Sequence, residues 1–166
     1  MGLFDFFKKK KEVEEFFEIY SPLNGKIIPI EEIPDAAFAE KIVGDGVGII
    51  PTGDTIYAPC DANDISIFDT NHAISFETSN GLELIVHFGI DTVKLDGKGF
   101  TRIAQDGQSV KKGDPLVKFD LDFIKANAKS ERTPVIISNM DIVAELVKTS
   151  GQVSVGDVLL KVKVKK

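Results

Sequence analysis

His72-Ala73-Ile74-Ser75-Phe76-Glu77-Thr78-Ser79-Asn80-Gly81-Leu82-Glu83-Leu84-Ile85-Val86-His87 reads as one β-hairpin with a histidine at each end. Asn-Gly between two β-prone runs is the strongest short-range hairpin signal, because both central residues of a type I′ turn need φ > 0. A two-residue loop sets Ser79 opposite Leu82 and Ile74 opposite His87. His72 then shares parity with Ile74, so both imidazoles leave one face as diagonal neighbours, about 7–8 Å apart at Cβ. A three-residue loop would slip the register and send the rings to opposite faces. These are the only two histidines in the chain, and Ile74, Phe76 and Ile85 are expected to surround them.

Outward from the hairpin, the chain continues as short β segments separated by Gly, Pro, Asn and Asp. Examples are Lys26 to Ile30, Gly46 to Ile50, Ile65 to Phe68, Leu116 to Asp120, Pro134 to Ser138 and Leu159 to Val164. Such spacing predicts an all-β antiparallel sandwich or barrel rather than alternating βαβ units. Helix is expected in three short pieces: from Pro34 through Ala39, over Leu121 to Lys129, and from an N-cap at Ser138 through Ile142 to Lys148. Val110-Lys111-Lys112-Gly113-Asp114-Pro115-Leu116 and Val153-Ser154-Val155-Gly156-Asp157-Val158-Leu159 share the pattern V-x-x-G-D-x-L, each after Gly-Gln. Two equivalent hairpins in a pseudo-symmetric, barrel-sandwich-like fold explain that repeat.

The 166 residues suit one domain able to bury its own core. A net charge of −6 argues against nucleic-acid binding. The single cysteine, Cys60, has no internal partner, and no secretory signal is recognised, so a reducing cytoplasm is the expected compartment. No apolar run reaches the ~20 residues of a membrane-spanning helix. Residues 1–17 stand apart from the expected domain at 18–166: Met1-Gly2-Leu3-Phe4-Asp5-Phe6-Phe7 is apolar and Lys8 to Lys11 is an unbroken basic run. Either this is a solvated tail, or its aromatic and basic parts touch an anionic bilayer, where each lysine contributes about 1 kcal/mol.

A histidine pair offers definite chemistry. Neutral imidazole is a competent nucleophile near pH 7, and a phosphoryl group on its nitrogen stays labile enough to pass on. A second imidazole N–H directed at the phosphoryl oxygens supplies the needed charge stabilisation. Thr70, two residues before His72, has a hydroxyl able to hold one ring nitrogen; Gly89, two after His87, lets its carbonyl approach the other ring. Zinc is the chemical competitor, but two histidines fall short of the usual three protein ligands and no His-Glu-x-x-His motif occurs, so no metal or cofactor is expected in the monomer. A zinc shared through His72 and His87 with a partner's carboxylate, and more remotely a zinc hydrolase of barrel-sandwich type, remain as alternatives.

Four ordered motifs narrow this further: Phe38-Ala39-Glu40-Lys41-Ile42-Val43-Gly44-Asp45-Gly46, Thr70-Asn71-His72-Ala73, Val86-His87-Phe88-Gly89-Ile90-Asp91-Thr92-Val93, and Pro134-Val135-Ile136-Ile137-Ser138-Asn139-Met140. Together they closely resemble the glucose-specific enzyme IIA family of the bacterial phosphoenolpyruvate-dependent sugar phosphotransferase system, over essentially the whole chain. The resemblance implies an antiparallel β-sandwich and a cytoplasmic phosphocarrier, peripheral at the membrane through its tail. His87 would accept the phosphoryl group on Nε2 from the histidine phosphocarrier protein HPr and pass it to a cysteine of a transporter's IIB domain. It also implies that His72 donates a hydrogen bond to that group, with Thr70 fixing the His72 ring and the Gly89 carbonyl that of His87. Phe38, Phe68, Val93 and Ile85 would belong to an apolar docking collar, and Asp35, Glu40, Glu83 and Asp91 to an acidic rim that steers basic partners. Phosphorylation-dependent binding of transporters or metabolic enzymes is the second role implied. Ile85 stands where relatives often have Phe, and Ser66 where some have Lys. Cys60 lacks the arginine-containing loop of a IIB phosphocysteine and reads as a buried structural residue.

Overall fold

The computed structural model describes residues 16–166. The expected tail therefore lies almost wholly outside the described residues, and its last two members, Phe16 and Phe17, begin the first strand. In chain order the strands are β1 (Phe16–Tyr20), β2 (Asn24–Pro29), β3 (Asp45–Thr52), β4 (Thr55–Tyr57), β5 (Asn63–Ile67), β6 (Ala73–Glu77) and β7 (Glu83–His87). There follow β8 (Phe100–Arg102), β9 (Pro115–Phe119), β10 (Thr133–Ile137), β11 (Val143–Lys148), β12 (Gly151–Val153) and β13 (Val158–Val164). Among the described residues two short helices complete the set, α1 (Ala36–Ala39) and α2 (Leu121–Asn127). All pairings are antiparallel. A seven-stranded sheet in the order β12-β2-β3-β10-β7-β6-β5 faces two three-stranded sheets, β1-β13-β11 and β4-β9-β8. The chain is thus an all-β antiparallel sandwich with a few helical turns.

The repeat resolves into two corners with the same hydrogen bonds. The Gly113 N–H donates to the Ala58 carbonyl and the Ala58 N–H to Asp114, while Gly156 and Asp157 make the same pair of bonds with Ser21. Asp114 Oδ2 accepts the Lys111 N–H at 2.9 Å, and Asp157 Oδ2 accepts the Ser154 N–H at 2.8 Å. Asp61 and Asn24 then cap Lys112 and Val155 in the two halves, both at 2.8 Å. The pattern V-x-x-G-D-x-L is therefore the sequence of one turn used twice, with glycine at positive φ and aspartate closing on the backbone.

Two expectations fail. Residues 143–148 are a strand, not the end of a helix; only Met140–Ile142 form a 3-10 turn before it. Ser138 and Asn139 do not cap a helix: Asn139 Oδ1 accepts the Glu83 N–H and its amide donates to the Gly81 carbonyl, tying this turn to the hairpin tip. A bulge between Val143 and Glu145 places the half-buried Val143 and Leu146 three apart, which imitates a helical period inside a strand.

The hairpin loop also has three residues rather than two. Thr78 pairs with Leu82 across Ser79-Asn80-Gly81, and within this loop only Gly81 takes positive φ (91°). This is a turn closed by a left-handed glycine, not the type I′ turn that Asn-Gly suggests. The buried Thr78 hydroxyl accepts the Leu82 N–H and donates to the Asn80 side-chain oxygen, so the extra residue is built in. The register shifts accordingly: His87 faces Ala73, and Ile74 faces Val86. Ile74 and Phe76 consequently join Leu84 and Val86 in the main core, away from His87, and of the three expected neighbours only Ile85 shares its face. Each such side chain contributes about 1.5–3 kcal/mol by burial.

A second, smaller cluster lies on the outer face of the large sheet. Ile28, Ile30, Ile33, Ile90 and Ile136 form it, with Phe38, Ile50 and Ile85 packed at its border. Gly48 makes it possible: a Cβ there would lie 2.7 Å from Ile33 Cδ1 and 2.9 Å from Ile28 Cγ1. The segment from Ile30 to α1 can therefore lie flat on the sheet and bring Phe38 over His87.

Candidate functional site

The two imidazoles meet, with ring centroids 4.8 Å apart and planes at 80°. Strand parity alone would separate them, as noted for a three-residue loop. They meet because His72 precedes the first residue of β6 and belongs to the tight reversal from β5. In that reversal Asn71 N–H donates to Phe68 O at 2.7 Å, Phe68 N–H donates to Ala73 O at 3.0 Å, and Asn71 adopts φ 62°. The His72 carbonyl still accepts the Phe88 N–H at 2.7 Å, but its side chain leaves the pleat. Thr70 Oγ1 lies 2.6 Å from His72 Nδ1.

His87 ends β7, and its Nδ1 lies 2.8 Å from the Gly89 carbonyl oxygen. A carbonyl only accepts, so Nδ1 carries the proton and Nε2 presents a lone pair. Gly89 has φ 72°, and a Cβ there would lie 2.6 Å from Thr92 Cγ2 and 2.7 Å from the Ser130 carbonyl. Two fully buried threonines, unremarked in the sequence, hold this peptide. Thr133 Oγ1 accepts the Gly89 N–H at 3.2 Å and donates to Glu131 O, while Thr92 Oγ1 donates to Phe88 O at 2.7 Å. Isolated threonines in β-prone text carry no signal for such a role.

Burial favours the neutral form of both rings. It pushes the His72 pKa down from 6.5 to about 4, with the neighbouring His87 adding to the shift. His87 is lowered as well, chiefly by burial, against the Gly89 carbonyl and the Asp35 carboxylate, which favour its charged form. His72 is only 3 % exposed and His87 is half-buried, so His87 is the ring open to a partner.

Around the pair, Phe38 stacks obliquely on His87 (5.1 Å) and Phe68 meets His72 edge-on (5.7 Å). Phe68 and Val93 are 48 % and 50 % exposed. Ile42, at 71 %, and Val43 are also exposed, in the turn after α1. They were not singled out in the sequence, although an apolar pair between Lys41 and Gly44 is a usable signal. Ser66, Ser75, Ile85 and Ile136 form one cross-strand row on the His87 face, bringing the two departures, Ile85 and Ser66, together beside the site. Asp35 caps α1 by accepting the Ala37 N–H at 2.8 Å, exposed Glu40 ends that helix, and Asp91, at φ 61°, pairs with Lys94 at 3.6 Å. Glu83 is not brought to the imidazoles: it opens β7, four residues or roughly 13 Å from His87, and accepts a bond from Ser138.

Among the described residues no third histidine, cysteine or carboxylate joins the pair in a cluster able to hold a metal. Cys60 is buried and its thiol is pushed up to about 12 by that burial. Among the described residues no helix is long and apolar enough to cross a membrane.

A β-sandwich thus displays two contacting imidazoles within a rim of exposed apolar side chains. Residues 17–143 match the family model of the phosphoenolpyruvate-dependent sugar phosphotransferase system, EIIA 1, and the chain belongs to this family. It is 54 % identical over 158 residues to the PTS system glucose-specific EIIA component of Haemophilus influenzae, covering 95 % of each chain. The component of the same name in Borreliella burgdorferi is 47 % identical, over 92 % of this chain and 78 % of that one. Among solved structures, glucose permease IIA from Mycoplasma capricolum superposes with a TM-score of 0.84 at 34 % identity, over 88 % of this chain and 95 % of that one. The chain is a phosphotransferase component, a phosphoryl carrier between proteins.

Proposed function

We propose that His87 carries the phosphoryl group on Nε2, taking it from phospho-HPr and giving it to a IIB-domain cysteine of a glucose-type transporter in the cytoplasm. The observation that supports this most directly is the 2.8 Å contact between His87 Nδ1 and the Gly89 carbonyl, which leaves the Nε2 lone pair free. In the first step Nε2 attacks phosphorus, the P–N bond of phospho-HPr breaks, and the HPr imidazole keeps the electron pair. In the second, the IIB thiolate attacks, the P–N bond to His87 breaks, and the lone pair returns to Nε2. With the Thr70 hydroxyl donating to Nδ1, His72 holds its proton on Nε2 and directs it at the phosphoryl oxygens, where charge is spread.

Phe38, Ile42, Val43, Phe68, Ile85 and Val93 form the docking collar in this reading, and Asp35, Glu40 and Asp91 steer basic partners. The tail before β1, residues 1–15, adds weak contact with anionic lipid in this reading. Phosphorylation places about −1.5 to −2 charges inside this apolar collar, so the same face also discriminates regulated transporters or enzymes by phosphorylation state.

Incubation with phosphoenolpyruvate, enzyme I and HPr, followed by mapping of the label, tests the assignment. Label is expected on His87 alone and absent from His87→Ala; a His87→Ala protein labelled like wild type would refute it.

A further inference from the structure

The reversal that carries Thr70 and His72 is gripped from the opposite sheet by one exposed side chain. Arg102, the last residue of β8, donates from Nε to Asn71 Oδ1 and from Nη2 to the carbonyls of Phe68 at 3.1 Å and Ile67 at 3.4 Å. Asp106, four residues on, accepts the Ile67 N–H at 2.8 Å. The connection leaving β8 thus holds residues 67, 68 and 71, which flank Thr70 on both sides. Asn71 is the residue of this turn at positive φ, and its own N–H bonds the same Phe68 carbonyl that Arg102 bonds.

We propose that Arg102 is a positioning residue for phosphoryl transfer: its guanidinium fork fixes the Asn71 turn, and so places the Thr70 hydroxyl on His72 Nδ1. The proposal rests on the phosphohistidine reading given above. The chain of causes is short. The backbone bonds from Asn71 to Phe68 and from Phe68 to Ala73 close the reversal but leave Thr70 between them without a backbone anchor of its own; Arg102 adds bonds to the Asn71 side chain and to the carbonyls of Ile67 and Phe68. Thr70 lies between those fixed points, and its hydroxyl, 2.6 Å from His72 Nδ1, is the partner that holds the ring in place. A planar fork with divergent N–H groups meets three acceptors at once, whereas an ammonium replaces the charge without the geometry. Small misplacements of a positioned donor translate into large rate losses.

Arg102→Ala and Arg102→Lys, each alone and combined with Thr70→Val, test this in the full-length protein. Ring ¹⁵N NMR of the unphosphorylated protein reads the His72 tautomer without any partner. Transfer from phosphorylated protein to a IIB domain is then measured over a range of IIB concentrations. Arg102→Ala should shift the His72 ring nitrogens while leaving those of His87 in place. Its maximal transfer rate should fall about tenfold, equivalent to about 1.4 kcal/mol, with KM changed by less than about twofold. Lysine should not restore the rate, and the loss should disappear in the Thr70→Val background, where the group being positioned is gone. Unshifted His72 nitrogens, rescue by lysine, a change confined to KM, or a full loss persisting with Thr70→Val would each overturn the proposal, the middle two by showing simple charge steering. Failure of the phosphohistidine reading shows separately, as a wild-type protein not labelled on His87, and the ring spectra then still decide whether Arg102 holds His72.

Discussion

Lowering the pH should destabilise the wild-type protein more than its His72→Gln variant. His72 is almost fully buried beside a second imidazole, and its pKa falls from 6.5 to about 4. The unfolded chain therefore binds a proton at pH values where the folded chain does not, and stability declines as pH falls from 6.5 toward 4. Above 6.5 the contribution is fully present; below 4 both states are protonated and no more is lost. A drop of that size at about 1.36 kcal/mol per unit amounts to roughly 3 kcal/mol. This is a large share of the 5–15 kcal/mol that about measures the stability of a typical domain. Glutamine does not titrate, and the carboxylates common to both proteins cancel in the difference. Urea unfolding at pH 7, 6, 5 and 4.5, with m checked for constancy, should give midpoints that converge or cross as the pH falls. Titration of the His72 ring by NMR supplies the independent value. Parallel midpoints, or a His72 ring titrating near 6.5, would refute the burial argument and with it the claim that His72 is neutral when it meets the phosphoryl group.

Gly89→Ala should destabilise the fold by about 2 kcal/mol or more, since both its positive φ and its contacts with Thr92 and Ser130 exclude a Cβ; calorimetry measures this. The same change should slow labelling of His87 by phospho-HPr, and wild-type labelling in a folded variant would separate the Gly89 carbonyl from the chemistry. In pull-downs with phosphorylated and unphosphorylated protein, the partner sets should differ; identical sets would remove the regulatory role from the docking face.

The β-sandwich was legible because its signals are local: alternating apolar residues, Gly-Asp turns and a repeated word. The repeat even specified its hydrogen bonds, since Asp114 and Asp157 close the same turn. Where sequence misled, non-local contacts were responsible. Asn80-Gly81 suggests two residues at positive φ, but Thr78 below and Asn139 across the sheet stabilise a longer loop. Residues 143–148 carry a helical spacing only because of a bulge whose partner strand begins at Val158. Of the site, Thr70 and Gly89 stand two residues from their histidines and are visible by proximity. Thr133 and Arg102 act from 44 and 31 residues away, on Gly89 and Asn71, and nothing in the text points to them.

The two rings are held by different kinds of partner, and the difference suits the separate tasks proposed for them in phosphoryl transfer. The Gly89 carbonyl cannot donate, so it assigns the His87 tautomer and leaves Nε2, the nucleophile of the proposed transfer, with its lone pair. The Thr70 hydroxyl both donates and accepts, so on its own it leaves the His72 tautomer open. A ring that must present N–H to a dianionic group needs that ambiguity removed, and the approaching charge itself favours the donor form. His72 would then be set fully only when the phosphoryl group arrives. A hydroxyl held in place by its turn allows this change without moving the ring, whereas the nucleophile's tautomer depends on a backbone oxygen anchored through Thr133 in the core. Substitutions at Thr70 should accordingly affect the stabilisation of the transferring group, and those at Gly89 the availability of the nucleophile.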